Sequence, residues 1–258
     1  MKRLNREIGM KRLFLFILLA TGATALAAAA LSNRINVTEE TAQRCIQANG
    51  LPDHATGDFP NAGNPHGIQA QQVNICLPSL PEKGDTAQPV RVTGIAVNGV
   101  QIRPGTADYF DADSARGHSR NPSSGWNLDG IGAREALGLD DQNAHVGPRG
   151  EYHYHGVPPA LVSTSESTLI GWAADGFEIH YTGDTARPSY RLKSGERQTE
   201  PGGAYDGTYN EDFEYIRGLG NLDECNGATV NGQYVYFATD AYPFYPRCLF
   251  GTEIVAIR

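Results

Sequence analysis

The feature that most constrains this chain is a short pattern that occurs twice. Leu139-Asp-Asp-Gln-Asn143 is followed by Gly150-Glu-Tyr-His-Tyr-His155, and Leu222-Asp-Glu-Cys-Asn226 is followed by Gly232-Gln-Tyr-Val-Tyr-Phe237. The blocks keep their order, with one residue fewer between them in the second copy. Turn chemistry makes each copy a β-hairpin. In the first, Gly147-Pro-Arg-Gly150-Glu151 suits a three-residue loop, with Gly150 in the left-handed position of a bulge. In the second, Val230-Asn-Gly-Gln233 suits a two-residue type I′ turn, which accounts for the missing residue.

The first turn sets a register with His145 opposite His153 and Asn143 opposite His155. Side chains alternate with period two and cross-strand partners share a face. One face is therefore expected to carry Asn143, His145, Glu151, His153 and His155, with Tyr152 and Tyr154 on the other. The second copy replaces the three histidines by Ala228, Val235 and Phe237. A hairpin of this kind needs no histidine to fold, so the imidazoles point to a purpose beyond packing.

Alternate strand positions lie roughly 6–7 Å apart, and directly opposed ones closer still. Three imidazoles so placed can converge on an ion at about 2 Å. A three-histidine set with an open position suits catalytic zinc, and imidazole also suits copper. His145, His153 and His155 are the expected ligands, with Glu151 and Asn143 orienting them from outside. The competing reading is a structural His/Tyr cluster without metal, in a non-enzymatic envelope or extracellular binding module.

The N-terminus points to export. Of the 21 basic residues five precede Leu31, and of the 29 acidic ones only Glu7 does, so the remainder carries a net charge of −12. That surface repels phosphate backbones and argues against nucleic-acid binding. The basic residues lead into an apolar run, Leu13–Leu19, and the small-residue stretch Ala25-Leu-Ala-Ala-Ala-Ala30 offers cleavage sites. Residues 1–30 read as a signal peptide, leaving no stable membrane span after cleavage and a periplasmic or extracellular protein. In that setting Cys45, Cys76, Cys225 and Cys248 are expected as disulfides. Three connectivities are open, and clustering favours Cys45–Cys76 with Cys225–Cys248.

Residues 31–89 read as a disulfide-pinned, loop-rich segment, with a short helix near Thr38–Asn49 and a connector over Leu77–Pro89. Residues 90–258 read as the β-rich domain against which that segment packs. Strands are expected at Val90–Val97 and Val100–Arg103 around the Asn98-Gly99 turn, then at Glu151–Val157, Leu169–Ala173, Phe177–Tyr181, Tyr234–Ala238 and Ile254–Ile257. Helix is scarce, with Ala133–Leu139 the main piece. The fold class is mainly β: a sandwich-like antiparallel domain with long ordered loops and one or two short helices.

Glu151-Tyr-His-Tyr-His155 is the motif that names the YHYH-domain family, and the resemblance extends further. Asn98-Gly-Val100 with Pro104-Gly-Thr-Ala, Leu139-Asp, Ala144-His-Val146 and Tyr152-His-Tyr-His-Gly156 resembles its central block. Ile170-Gly-Trp-Ala-Ala-Asp-Gly-Phe177, Gly202-Gly-Ala-Tyr-Asp-Gly-Thr208, Leu222-Asp-Glu-Cys-Asn-Gly227 and Tyr242-Pro-Phe-Tyr-Pro-Arg-Cys248 resemble later blocks. The resemblance implies an exported protein and leaves its activity open. Two departures matter. Asp175-Gly-Phe-Glu178-Ile-His180 stands where Asp-Gly-Phe-Pro-Ile-Tyr is expected, and Gln142-Asn-Ala-His145 lacks one histidine of Asn-His-Ala-His. The first weakens any role for His180; the second leaves His145 as the ligand.

His54, in a Pro-Asp-His loop near the first disulfide, is the first choice for a fourth ligand. His118, expected to be exposed, and His66 rank behind it. Asp111 with Asp113, and Asp206 with Glu211 and Asp212, are weaker candidates for calcium, because neither fits an EF-hand loop.

Overall fold

Short strands separated by turns and long irregular loops run through the chain, which the computed structural model describes over residues 32–163 and 167–257. The signal peptide expected over 1–30 lies outside the described residues. Strands β1 (Ile35–Glu40), β2 (Gln43–Ala48) and β3 (Val73–Pro78) form an antiparallel sheet. Cys45 on β2 faces Cys76 on β3, and a disulfide joins them. The helix expected near Thr38–Asn49 is thus a hairpin. Its Glu, Gln and Ala favour helix locally, but strand pairing on both sides of β2 and the cross-link outweigh that preference. The expected connector Leu77–Pro89 is likewise mostly strand: it completes β3 and forms β4 (Lys83–Pro89), which pairs with residues 248–251.

Strands β5 (Gly94–Ala96) and β6 (Gln101–Ile102) flank the Asn98-Gly99 turn. A small sheet follows from β7 (Gly105–Phe110), β8 (His118–Ser119) and β9 (Asn127–Asp129), then the one-turn helix α1 (Arg134–Leu137). Strands β10 (Ala144–Val146) and β11 (Tyr152–Tyr154) are the first repeated hairpin. Beyond α2 (Pro159–Ser163), β12 (Leu169–Ala173) and β13 (Glu178–Tyr181) pair about Gly176, and β14 (Tyr190–Leu192) pairs with β15 (Phe213–Tyr215). Strands β16 (Gly227–Val230) and β17 (Gln233–Ala238) are the second repeated hairpin, and β18 (Cys248–Gly251) is the partner of β4. Ile254–Ile257 is not a strand: Ile254 and Ile257 pack on the core, and Val255 N–H reaches Ala174 O without a ladder.

The central sheet runs β10-β11-β6-β5-β12-β13-β17-β16, an order symmetric about the β5–β12 junction. There Gly94 faces Ala173, Ile95 faces Trp172 and Ala96 faces Gly171. The duplication seen in the hairpins therefore extends to a second segment, Gly94-Ile-Ala-Val-Asn-Gly99 against Gly171-Trp-Ala-Ala-Asp-Gly176. Its hydrogen bonds match: Ala96 N–H to Val100 O and Ala173 N–H to Phe177 O are both 2.8 Å. β11 runs parallel to β6 as β17 does to β13. Gly94 and Gly171 permit the close junction, since a Cβ at Gly94 would fall 2.1 Å from Trp172 O and one at Gly171 2.7 Å from Ile95 O.

The N-terminal sheet covers this junction, packing Ile46, Val73 and Leu77 against Ile95 and Trp172. A larger core gathers Ile102, Tyr154, Ile179, Tyr236, Tyr245 and Leu249. Each fully buried aliphatic side chain there contributes about 1.5–3 kcal/mol. The molecule is mainly β, with sheets layered in a sandwich-like arrangement. A disulfide between Cys225 and Cys248 ties the turn before β16 to β18. Among the described residues no helix is long and apolar enough to cross a membrane.

Candidate metal centre

The site begins with a turn. Gly147 N–H donates to Glu151 O at 2.8 Å and Gly150 N–H to Gly147 O at 2.9 Å, with Gly150 at φ +85° as a bulge of this type requires. The resulting register pairs Ala144 with Tyr154, His145 with His153 and Val146 with Tyr152. Asn143, at φ +56°, redirects the chain so that its carbonyl accepts the His155 N–H at 2.8 Å. Tyrosines leave on the opposite face: Tyr152 O–H donates to Asp140 at 2.7 Å, and the Tyr154 hydroxyl meets His54 Nε2 at 2.7 Å and accepts from Asn98 Nδ2 at 2.9 Å.

His145, His153 and His155 come together on their face as a nearly equilateral triangle. Ring centres are 4.8 Å apart for His145–His153, 4.7 Å for His145–His155 and 4.9 Å for His153–His155. One nitrogen from each lies within 4.8 Å of those of the other two, a set that could hold a metal ion. Nδ1 of each ring is committed to a main-chain carbonyl. Nδ1 of His145 faces Leu137 O at 2.9 Å, that of His153 faces Glu151 O at 3.0 Å, and that of His155 faces Pro104 O at a longer 3.4 Å. A carbonyl only accepts, so each Nδ1 carries the proton and each Nε2 keeps its lone pair. Nε2 of His155 is buried without a hydrogen-bond partner.

Burial lowers the basicity of all three rings, furthest for His153 and His155. Neighbouring imidazoles and the Arg103 guanidinium push in the same direction at His153. These rings are therefore neutral near pH 7, the form that ligates a metal. The triad forms part of the wall of a cleft of about 480 Å³ that His66, Arg103 and His118 also line.

Other expected residues fall elsewhere. Glu151 contributes its main-chain carbonyl to His153, while its carboxylate accepts from Arg149 N–H at 2.8 Å and from the Arg149 and Arg103 guanidinium groups. Asn143 sends its side-chain amide to Val157 O at 2.7 Å. His54 does not join the triad: it sits on the tyrosine face, with Nδ1 on Ala55 O and Nε2 on Tyr154. His118 is not exposed but 4% accessible, because β7–β8 pairing covers it, and its Nδ1 meets Asp108 Oδ1 at 3.1 Å. His180 bonds Glu178 and Thr168, away from this face. The acidic clusters are internally satisfied. Asp206 and Asp212 grip Arg197, Glu211 accepts from Asn127 N–H, and Asp111 accepts from Ser119 O–H and Asp113 N–H.

Arg103 and Gly130 had no signal in the linear pattern. Arg103 reaches the triad through the parallel β6–β11 pairing, its N–H donating to Tyr154 O at 2.8 Å. Gly130 follows β9 and backs the His155 ring. The second hairpin supplies an internal reference for all of this. Asp223 accepts from Gly227 N–H and Tyr234 O–H as Asp140 does from Ala144 N–H and Tyr152 O–H, and Asn226 stands at φ +59°. Yet Phe237 and its neighbours Ala228 and Val235 form an apolar cluster where the first copy has imidazoles.

Comparison with curated proteins and with solved structures returns no match. The family described as YHYH protein matches residues 74–251, which include both repeats and all three histidines. That span is more than half of the chain, and the chain belongs to the YHYH family.

Proposed function

We propose that this chain is an exported protein that holds a transition-metal ion, copper or zinc, on Nε2 of His145, His153 and His155. The observation that carries the reading is the anchoring of three Nδ1 atoms on three main-chain carbonyls, which leaves three neutral Nε2 atoms on rings whose centres are under 5 Å apart, one of them buried without a partner. Metal-ligating histidines are oriented in this way. Nitrogens about 2.0–2.1 Å from a tetrahedral ion lie about 3.4 Å apart, so loading draws the rings inward. The cleft leaves room for a fourth ligand, water or a substrate. Two disulfides and the composition of residues 1–30 support an oxidising, exported setting.

A purely structural His/Tyr cluster accounts less well for the site. The tyrosine face closes its own hydrogen bonds through Asp140, Asn98 and His54, and takes nothing from the triad. The test is elemental analysis of the mature protein against a variant carrying the second copy's residues, His145→Ala with His153→Val and His155→Phe. About one copper or zinc per chain is expected in the wild type and none in the variant. Equal metal content in the two overturns the reading.

A further inference from the structure

The cleft over the triad is positive on a molecule that is otherwise acidic. Arg91, Arg103, Arg116 and Arg120 line it, and Asp108 is its only carboxylate. That carboxylate already faces His118. Among the described residues Arg91, Arg116 and Arg120 form no ion pair, and the one acidic partner of Arg103 is Glu151 at 3.5 Å. Glu151 is engaged more closely by Arg149. Arg103 is built in: its side chain is 17% exposed, and its backbone is fixed to β11 beside the histidines.

Three neutral imidazoles cancel none of a divalent ion's charge. Metal and guanidinium groups would then stand together in a partly buried space, where uncompensated charge is costly. What completes such a site is an anion that bonds both. We infer that the cleft binds a small oxyanion, a phosphate or carboxylate group, with one oxygen toward the metal and the others accepting from Arg103. The planar guanidinium matches either group in two-pronged fashion. Exposed Arg116 and Arg120 at the cleft wall draw the anion in, against the repulsion of the acidic surface elsewhere. This ligand class rests on the metal reading for its inner contact and on the arginines for its outer one.

The test is calorimetric titration of zinc-loaded mature protein with inorganic phosphate and, separately, with acetate in physiological salt. Saturable binding of at least one anion is expected. The tighter of the two identifies the ligand as phosphoryl or carboxylate. Arg103→Gln should weaken it about tenfold or more with zinc content unchanged. The exposed pair Arg116→Ala with Arg120→Ala, which touches no core, should weaken it less and flatten its salt dependence. Wild-type protein that holds zinc but binds neither anion overturns this inference and leaves the metal site standing. Binding of an anion through Arg103 by protein that takes no metal overturns the metal reading and, with it, the metal-bridging contact inferred here. Undiminished affinity in Arg103→Gln also overturns the inference.

Discussion

A methyl group added to Gly130 would fall 2.4 Å from Nδ1 of His155 and 2.5 Å from its Cγ. The ring is 1% exposed and cannot swing away, so alanine at this position displaces the ligand itself. Gly130→Ala should lower zinc affinity by about 10–100-fold while leaving His145, His153 and His155 chemically intact. Competition with a chromophoric chelator checks it; unchanged affinity would show that His155 does not need its present seat.

Asn143 and Asn226 hold equivalent left-handed positions, φ +56° and +59°, immediately before the first strand of each repeated hairpin. Each also donates its side-chain amide to a carbonyl, Val157 O and Phe237 O respectively. Asn143→Ala and Asn226→Ala should each cost about 1–3 kcal/mol in urea denaturation, and Asn143→Gly less than Asn143→Ala because only the hydrogen bond is lost. A larger effect of glycine than of alanine would contradict the strain argument.

The metal-free protein should lose stability in mild acid. His145, His153 and His155 are less basic in the fold than their ordinary value of 6.5, so below that pH the unfolded chain takes up protons first. Their contribution is whole above about pH 6.5 and declines as pH falls. Arg103 and Arg247 reinforce the shift at His155, and Arg103 and His66 do so at His145, where Asp108 opposes it. Replacing the triad by Ala, Val and Phe should flatten urea midpoints between pH 4.5 and 7, about the range over which histidines titrate. An equally steep profile in that variant would place the acid sensitivity elsewhere.

A second acid transition should come from Asp206. Burial acts to raise its pKa, but hydrogen bonds from Thr208 and Arg197 outweigh this and hold it at about 2, below the ordinary 3.8. Stability from this group is complete above about pH 4 and is lost as pH falls toward 2. Asp206→Asn should remove that segment of the profile in denaturation curves taken between pH 2 and 5. A carboxylate this exposed makes the effect small and reducible by salt.

How much of this was legible in the residues depends on the range of the interaction. The triad was, because a tight turn and a period of two fix which side chains share a face, and both act within a dozen residues. His118 was misread since its burial is created by the pairing of Tyr109 with Ser119 and Phe110 with His118, which no local pattern announces. Thr38–Asn49 was misread for a similar reason: its helix-favouring residues are held extended by β1 on one side and β3 on the other. The wider duplication was written in Gly94–Gly99 and Gly171–Gly176, but only three of six positions agree, Gly, Ala and Gly, and such residues recur by chance. What gave it meaning was the sheet order, in which Ile95 meets Trp172 across the join. Arg103 shows the limit, since a parallel strand partner is set by the whole crossover and not by neighbours in sequence.

Each histidine takes its bearing from a peptide carbonyl, one at the end of α1, one on the hairpin and one after β6. The groups that accept from the three Nδ1 atoms are main chain, not replaceable side chains. The lining of the cleft can therefore drift, acquiring or shedding arginines, while the three rings keep their anchors on the main chain. A lineage built this way can change what it captures without rebuilding the instrument that captures it.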